Sequence, residues 1–371
     1  MAIHHLQSCV GKRCQSPRRF NWVSISGLVQ KPILRSHATF LVATAIFLFA
    51  FTFRYFNFGN PQTLMVDEIY YVPAANSLLN SHVDPNYVHP PLGKLLIATG
   101  IAVFGYNSFG WRIAGVLAGS AIVPAAYLIG RKTFGEGTAI TSSVLLVLDP
   151  LQHIMSRIAM LDIFLSLFVA LAFLGVCYER FYLSAISLGL ACGVKLSGAF
   201  AVVGVVAYLL CSGRLSKAVR VIPVIALTFL LTLIPVVVSS WSSFAGTFLF
   251  ALNWHLTLAS THPSASSPLG WFVNIVPFPV YSDAGQAISA SANPLIYPVS
   301  LPVAAFFAYD ALRKRSCSLQ TLPVFWLVFV YGLFFVLPRK TQFIFYLTPT
   351  VPAILLLFSY GVVRVLSYLS K

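Results

Sequence analysis

Ten apolar runs divide the chain, at about 38–56, 112–130, 137–149, 158–178, 181–194, 196–212, 221–241, 294–310, 322–337 and 343–360. The runs are continuous and lack the apolar–polar alternation of lipid-facing barrel strands, so each predicts a helix. A span needs about 20 apolar residues, and several runs fall short of that. Read as one helix, 181–212 would be about 48 Å long at 1.5 Å per residue, too long for a bilayer. The sequence Gly193-Val194-Lys195-Leu196-Ser197-Gly198 interrupts it and predicts a tight hairpin.

Two polar stretches break this rhythm. The first lies between the first two runs, within 57–111, and includes VDEIYYVPAANSLLNSHVDPNYVHPPLGK. It holds three of the nine acidic residues, Asp67, Glu68 and Asp84. IYYVPAANSLLN carries apolar and aromatic residues at helical spacing, as an amphipathic surface helix does. The second stretch, 242–293, carries aromatics, His255, His262 and the turn-rich THPSASSPLGW. With no apolar periodicity of its own, it predicts a substrate-contact loop rather than a folded domain.

Composition fits this picture. The 371 residues are 58% hydrophobic and 9% charged, with mean hydropathy +0.83, where soluble chains carry about 25% charged residues. The expected fold is an all-α polytopic membrane bundle of about ten or eleven helices. Its first outer loop would carry amphipathic surface helices. A basic cytoplasmic tail over 1–37 would precede a single domain over 38–371. The net charge of +15 points to bilayer orientation rather than to nucleic acid. Six cysteines, none in the two polar loops, suggest no disulfide framework. In the tail, His4, His5, Cys9 and Cys14 do not form two close ligand pairs of the zinc type.

Charge also decides the apolar run Leu92–Phe104, whose 13 residues suit an interfacial or re-entrant segment. If it lies on the outer surface, 17 Lys and Arg face inward and seven outward. If it crosses the membrane, the split becomes 11 against 13. The excess of Lys and Arg expected on the cytoplasmic side selects the surface helix. That topology gathers Asp67, Glu68, Asp84, Asp149, Asp162 and Asp283 on the outer face with Arg54, Lys94, Arg112, Arg157, Lys195, Arg339 and Lys340.

Asp67 opens a predicted helix, so it suits either a general base or an N-cap. Lys94 sits in the first turn of an apolar helix, where the dipole disfavours a cation. An anion partner or a snorkelling headgroup contact suits it better. Arg112, Lys94, Lys195, Arg339 and Lys340 together could ring a lipid-linked phosphate, which arginine meets through its planar fork. Generic headgroup contact is the competing role for Arg339 and Lys340. His89 gains weight only through its neighbours. Arg157 and Asp162 are five residues apart, not the i,i+4 spacing of an intrahelical pair.

The motifs DEIYY, VHPPLGK, GWRIAGVLAG, SRIAMLD, LACGVKLSG, SANP and FIFYLTPTVP resemble, in that order, those of the protein O-mannosyltransferases. That family uses dolichyl-phosphate mannose and belongs to the GT-C class of integral-membrane glycosyltransferases. The resemblance runs from about Asp67 to Pro352. It implies mannose transfer from a polyprenyl phosphate to Ser or Thr hydroxyls of a protein or peptide, with inversion. Asp67 would be the catalytic base with Glu68 beside it, and Asp162 the second acidic residue. Arg112 and Arg157 would hold the lipid phosphate or the site geometry, with His89, Lys195 and His262 contacting substrate. Eukaryotic members carry a large soluble domain in the later outer loop, for which 242–293 is too short. The resemblance implies no divalent metal, although related lipid-A-modifying enzymes can hold one. It leaves homo- or heterodimers open. The site would face the cell exterior in a prokaryotic plasma membrane, or the lumen of an endoplasmic reticulum. The rivals are a GT-C transferase moving another sugar to a lipid or glycan, and a transporter or flippase. A transporter calls for mid-bilayer charges and repeated halves.

Overall fold

A computed structural model describes residues 32–239, 241–283 and 285–370. The candidate ligands His4, His5, Cys9 and Cys14 lie outside the described residues. The chain divides into two compact units, Met1–Val42 and Ala43–Lys371, and the second carries the features below.

The helices in chain order are α1 (Pro32–Tyr55), α2 (Glu68–Ser81), α3 (Leu92–Phe104), α4 (Ser108–Thr133) and α5 (Glu136–Leu148). Then come α6 (Pro150–Ser156), α7 (Leu161–Cys177), α8 (Phe181–Val194), α9 (Gly198–Cys211), α10 (Leu215–Ser239) and α11 (Trp241–Thr257). A short α12 (Pro268–Trp271) leads to a β-hairpin, β1 (Phe278–Asp283) and β2 (Gln286–Ala290). The chain closes with α13 (Ile296–Lys314), α14 (Leu322–Gly332), a 3₁₀ turn over Ile344–Thr350 and α15 (Val351–Leu369). Every apolar run has its helix. Among the described residues, four segments are long and apolar enough to cross a membrane: His37–Tyr55, Ser108–Thr133, Leu215–Val238 and Ile344–Leu369. A fifth crossing is available if α6 and α7, bent by 114°, are one broken span.

Two breaks position the chemistry. Between α8 and α9, Lys195 leaves helical geometry at φ −154°, ψ 136°. A Cβ at Gly198 would lie 2.5 Å from the Ala191 carbonyl carbon, so glycine lets the two arms close as the expected hairpin. Between α6 and α7, the bend at 157–160 sets Asp162 in the first turn of α7. Before that bend, Asp149 caps α6 by accepting from the Gln152 N–H at 2.9 Å, and Pro150 occupies the first helical position. The helix α3 packs against α4 so closely that a Cβ at Gly100 would sit 2.2 Å from the Gly110 oxygen.

Two sequence expectations need correction. The segment 242–293 is not an irregular loop, because it holds the 17-residue α11 and the β-hairpin. Its apolar stretch FLFAL is interrupted by Asn253 and His255 and is too short to register as a run. The cysteines do form a bond: Cys211 at the end of α9 is joined to Cys317, 106 residues on, with Cα atoms 5.5 Å apart. Cys211 ends α9 and Cys317 lies in the connection after α13, segments brought together only in the folded chain, so their spacing carries no signal.

Candidate active site

The loop before α2 is built on one buried ion pair. Arg112 of α4 donates from Nε to Glu68 Oε1 and from Nη2 to Glu68 Oε2, both at 2.8 Å, and both side chains are fully buried. The same guanidinium donates to the carbonyls of Pro61 (2.6 Å) and Thr63 (2.9 Å). Glu68 also accepts from the backbone N–H groups of Met65 (2.9 Å) and Ala159 (2.8 Å). Two elements distant in sequence are thereby locked, the 60–68 loop and the α6–α7 bend. Within this frame Val66 takes φ 37°, a conformation costly for a β-branched residue, one position before Asp67.

Asp67 is treated differently from its neighbour. Its side chain makes no cap hydrogen bond to α2, which rules out the N-cap role, although its carbonyl accepts from Tyr70 and Tyr71. The carboxylate has no hydrogen-bond partner among the described residues and lines a cavity of about 500 Å³. Burial pushes its pKa up to about 6; Lys195 and His262 pull it down and Asp162 pushes it up.

Cations face it across the cavity. Lys195, on the α8–α9 break, donates to both oxygens of Asp162 at 2.9 and 3.0 Å and lies 4.6 Å from the centre of the Tyr346 ring. Arg339 donates from Nε to the Thr341 carbonyl at 2.7 Å and from Nη2 to the Tyr346 hydroxyl at 3.0 Å. Its guanidinium also lies 4.8 Å from the Trp254 ring centre. A narrower cavity of about 210 Å³ meets the first at Lys195, Arg339 and Tyr346. Its remaining wall includes Leu196, Phe200, Leu252, Leu256, Phe334 and Leu337.

A second buried pair shapes the cavity's third side. Lys94 of α3 forms an ion pair with Asp84 and donates to the carbonyls of Asn86 and His89, the last at 2.8 Å. This curls the 84–91 loop so that Asn86, Val88 and His89 reach the cavity wall. Burial pushes the His89 imidazole well below its usual pKa, and Lys195, His255, Lys94 and Arg339 push the same way. His89 is therefore neutral at physiological pH.

The structure thus gathers Asp67, His89, Lys195, His262 and Arg339 on one cavity, and Asp162 against it through Lys195. Five candidates stand elsewhere. Glu68 and Arg112 are consumed by each other and by backbone. Lys94 is consumed by Asp84. Arg157 donates to the Phe56 carbonyl at 2.8 Å, lies 3.0 Å from His153 Nε2 and lines neither cavity. Lys340 is exposed and lines neither cavity. Tyr71, Asn86, Trp254 and Tyr346 line the site without having been singled out, although FIFYLTPTVP already contained Tyr346. Among the described residues, no three His, Cys, Asp or Glu side chains converge as a metal set.

Comparison with known proteins bears on the fold and on the segment 88–241. Residues 88–241 match the family model described as dolichyl-phosphate-mannose-protein mannosyltransferase. The polyprenol-phosphate-mannose–protein mannosyltransferase of Mycobacterium tuberculosis is 39% identical over 151 residues, covering 38% of this chain and 29% of the relative. Protein O-mannosyltransferase 1 of Drosophila melanogaster is 27% identical over 203 residues, covering 46% of this chain and 22% of the relative. The chain thus spans less than a third of the length of these relatives. Among solved structures, ArnT from Cupriavidus metallidurans bound to undecaprenyl phosphate superposes with TM-score 0.61 at 16% identity, covering 90% of this chain and 61% of ArnT. The Archaeoglobus fulgidus oligosaccharyltransferase gives 0.56 at 14%, covering 89% of this chain and 50% of that one. The chain therefore has the fold of these integral-membrane glycosyltransferases and, over 88–241, is similar to the dolichyl-phosphate-mannose-protein mannosyltransferase family.

Proposed function

We propose that this protein transfers mannose from a polyprenyl phosphate to Ser or Thr hydroxyls of a protein acceptor, inverting the anomeric carbon. One observation carries the reading: a carboxylate without a hydrogen bond, Asp67, shares a cavity with Lys195 and Arg339, which also line a smaller, largely apolar cavity. The printed names of the relatives, polyprenol-phosphate-mannose–protein mannosyltransferase and protein O-mannosyltransferase, support the donor and acceptor classes. So does the undecaprenyl phosphate bound by the similarly folded ArnT.

In this scheme the narrower cavity takes the isoprenoid segment next to the phosphate. Lys195 and Arg339 meet the phosphate, and the sugar lies in the larger cavity toward Asp67. The acceptor oxygen attacks the anomeric carbon from the side opposite the phosphate. The new carbon–oxygen bond forms as the carbon–phosphate-oxygen bond breaks. The hydroxyl proton passes to Asp67, and the leaving polyprenyl phosphate keeps the bonding pair. Lys195 and Arg339 stabilise the charge that grows on it. A base with pKa near 6 is ionised at neutral pH, yet more basic than an ordinary carboxylate. Glu68, Arg112, Arg157 and Lys94 act on geometry without touching substrate. Asp162 holds Lys195 in place. In this reading the site opens on the extracytoplasmic face, which the distribution of Lys and Arg supports.

The test uses purified protein, radiolabelled polyprenyl-phosphate mannose and a Ser/Thr-rich peptide. Label in the peptide, released by β-elimination, is the expected result. Label in a lipid or glycan acceptor but none in peptide would overturn the protein-modifying assignment.

A further inference from the structure

We infer that His255 is a positioning residue that aims Arg339 at the donor phosphate, through a single fixed tautomer of its imidazole. The inference rests on the proposed role of Arg339.

Both ring nitrogens of His255 are engaged by groups that permit only one arrangement. Nε2 lies 2.6 Å from the Val88 carbonyl, which can only accept, so Nε2 carries the proton. Nδ1 lies 3.0 Å from Arg339 Nη1, which can only donate, so Nδ1 is a lone-pair acceptor. The imidazole is therefore the neutral Nε2–H form. Burial, with Arg339 and Lys195 adding to it, moves the pKa down to about 4, while the Val88 bond opposes the shift. An imidazolium would direct an N–H at the guanidinium and break the contact.

Geometry gives the link its consequence. His255 belongs to α11, Val88 to the loop curled by Lys94, and Arg339 to the segment before the 3₁₀ turn. The ring also packs against His89, with ring centres 4.9 Å apart and planes tilted by 37°. The guanidinium is thus fixed by three contacts of different origin: Thr341 carbonyl on Nε, His255 on Nη1 and Tyr346 hydroxyl on Nη2. Nη1 and Nη2 each carry a second N–H beyond these contacts, and Arg339 lines both cavities. A planar guanidinium with N–H groups left over on both terminal nitrogens suits a phosphate, and rotation of the group would redirect them. His255 is the contact that holds the Nη1 end.

A double-mutant cycle tests this, reading donor KM, acceptor KM and inhibition by free polyprenyl phosphate. Loss of a hydrogen bond to a charged group should raise the donor KM of His255→Ala roughly 10-fold, with acceptor KM unchanged. In an Arg339→Ala background the same change should add less than about 2-fold, because a residue acting through Arg339 has nothing left to act on. His255→Asn, whose amide oxygen replaces the Nδ1 acceptor, should recover much of the donor KM. Full additivity in the Arg339→Ala background would overturn the inference, as would acceptor and donor KM rising together in His255→Ala. An Arg339→Ala protein with unchanged donor KM would instead overturn the phosphate role on which it rests.

Discussion

Asp67 and Glu68 are adjacent carboxylates of opposite duty, and substituting each by its amide separates them. In Asp67→Asn the loss is a proton acceptor, and general-base catalysis is worth about 10² to 10⁴ in rate. Stability should move the other way. Its pKa rises from 3.8 to about 6 on folding, so the ionised form costs the native state up to about 3 kcal/mol at 1.36 kcal/mol per unit. Water in the cavity reduces that figure, because Asp67 is only half-buried. The sign follows from proton binding: between about pH 4 and 6 the folded protein holds a proton that the unfolded chain has lost. Stability therefore falls as pH rises through that window, and the penalty is complete above it. Asp67→Asn removes the penalty, so its unfolding midpoint at pH 7.5 should equal or exceed that of the parent.

Glu68→Gln should behave inversely. Arg112 is fully buried and directs two of its bonds at that carboxylate, and removing one partner of such a pair costs about 3–5 kcal/mol. Thermal unfolding in detergent, followed by tryptophan fluorescence, and label transfer to peptide are measured on the same preparations. Transfer by the parent should rise with pH as Asp67 ionises near 6 and then level off. Asp67→Asn should lose at least about 100-fold without this rise. The reasoning fails if Asp67→Asn keeps activity within tenfold of the parent. It also fails if its unfolding midpoint drops as far as that of Glu68→Gln.

Other consequences are simpler to check. Lys195→Met leaves Asp162 buried and unpaired, a loss of about 3–5 kcal/mol; adding Asp162→Asn should restore much of the unfolding midpoint but not the donor KM. Lys94→Met strands the buried Asp84 and frees the carbonyls of Asn86 and His89. Limited proteolysis should then cut within 82–91 faster than in the parent. Denatured, unreduced protein should alkylate at Cys177 and Cys192, while Cys211 and Cys317 react only after reduction.

What could be read from the sequence was whatever depended on neighbours along the chain. The apolar runs and the glycine-bracketed break that carries Lys195 to the cavity rest on local pattern. The duties of the charged residues did not. Adjacent carboxylates at a helix start cannot share one direction, but nothing local says which is used for what. Arg112 decides it from 44 residues away by taking Glu68. Lys94 pairs with Asp84 ten residues earlier, across three prolines, Pro85, Pro90 and Pro91, that restrict the path of the loop. Lys195 reaches Asp162 across 33 residues because α7 and α8 pack together. His255 was overlooked since its partners, Val88 and Arg339, lie 167 and 84 residues away.

These pairings also explain why so many charges surround a site that needs few of them. A cation facing a cavity will take the nearest carboxylate, and Asp67 lines the same cavity as Lys195. Left to itself, that pairing would hold Asp67 well below neutrality and make it a poor base. The fold prevents it by giving Lys195 another partner, Asp162, while Lys94 and Arg112 are paired with Asp84 and Glu68 away from the cavity. Those two pairs tie the 84–91 and 60–68 loops that bound it. The cost of burying three ion pairs is offset partly by the backbone groups they saturate, such as Pro61, Thr63 and Ala159. What remains is one carboxylate without a hydrogen bond, held in place by a backbone strained at Val66 and free to accept a proton.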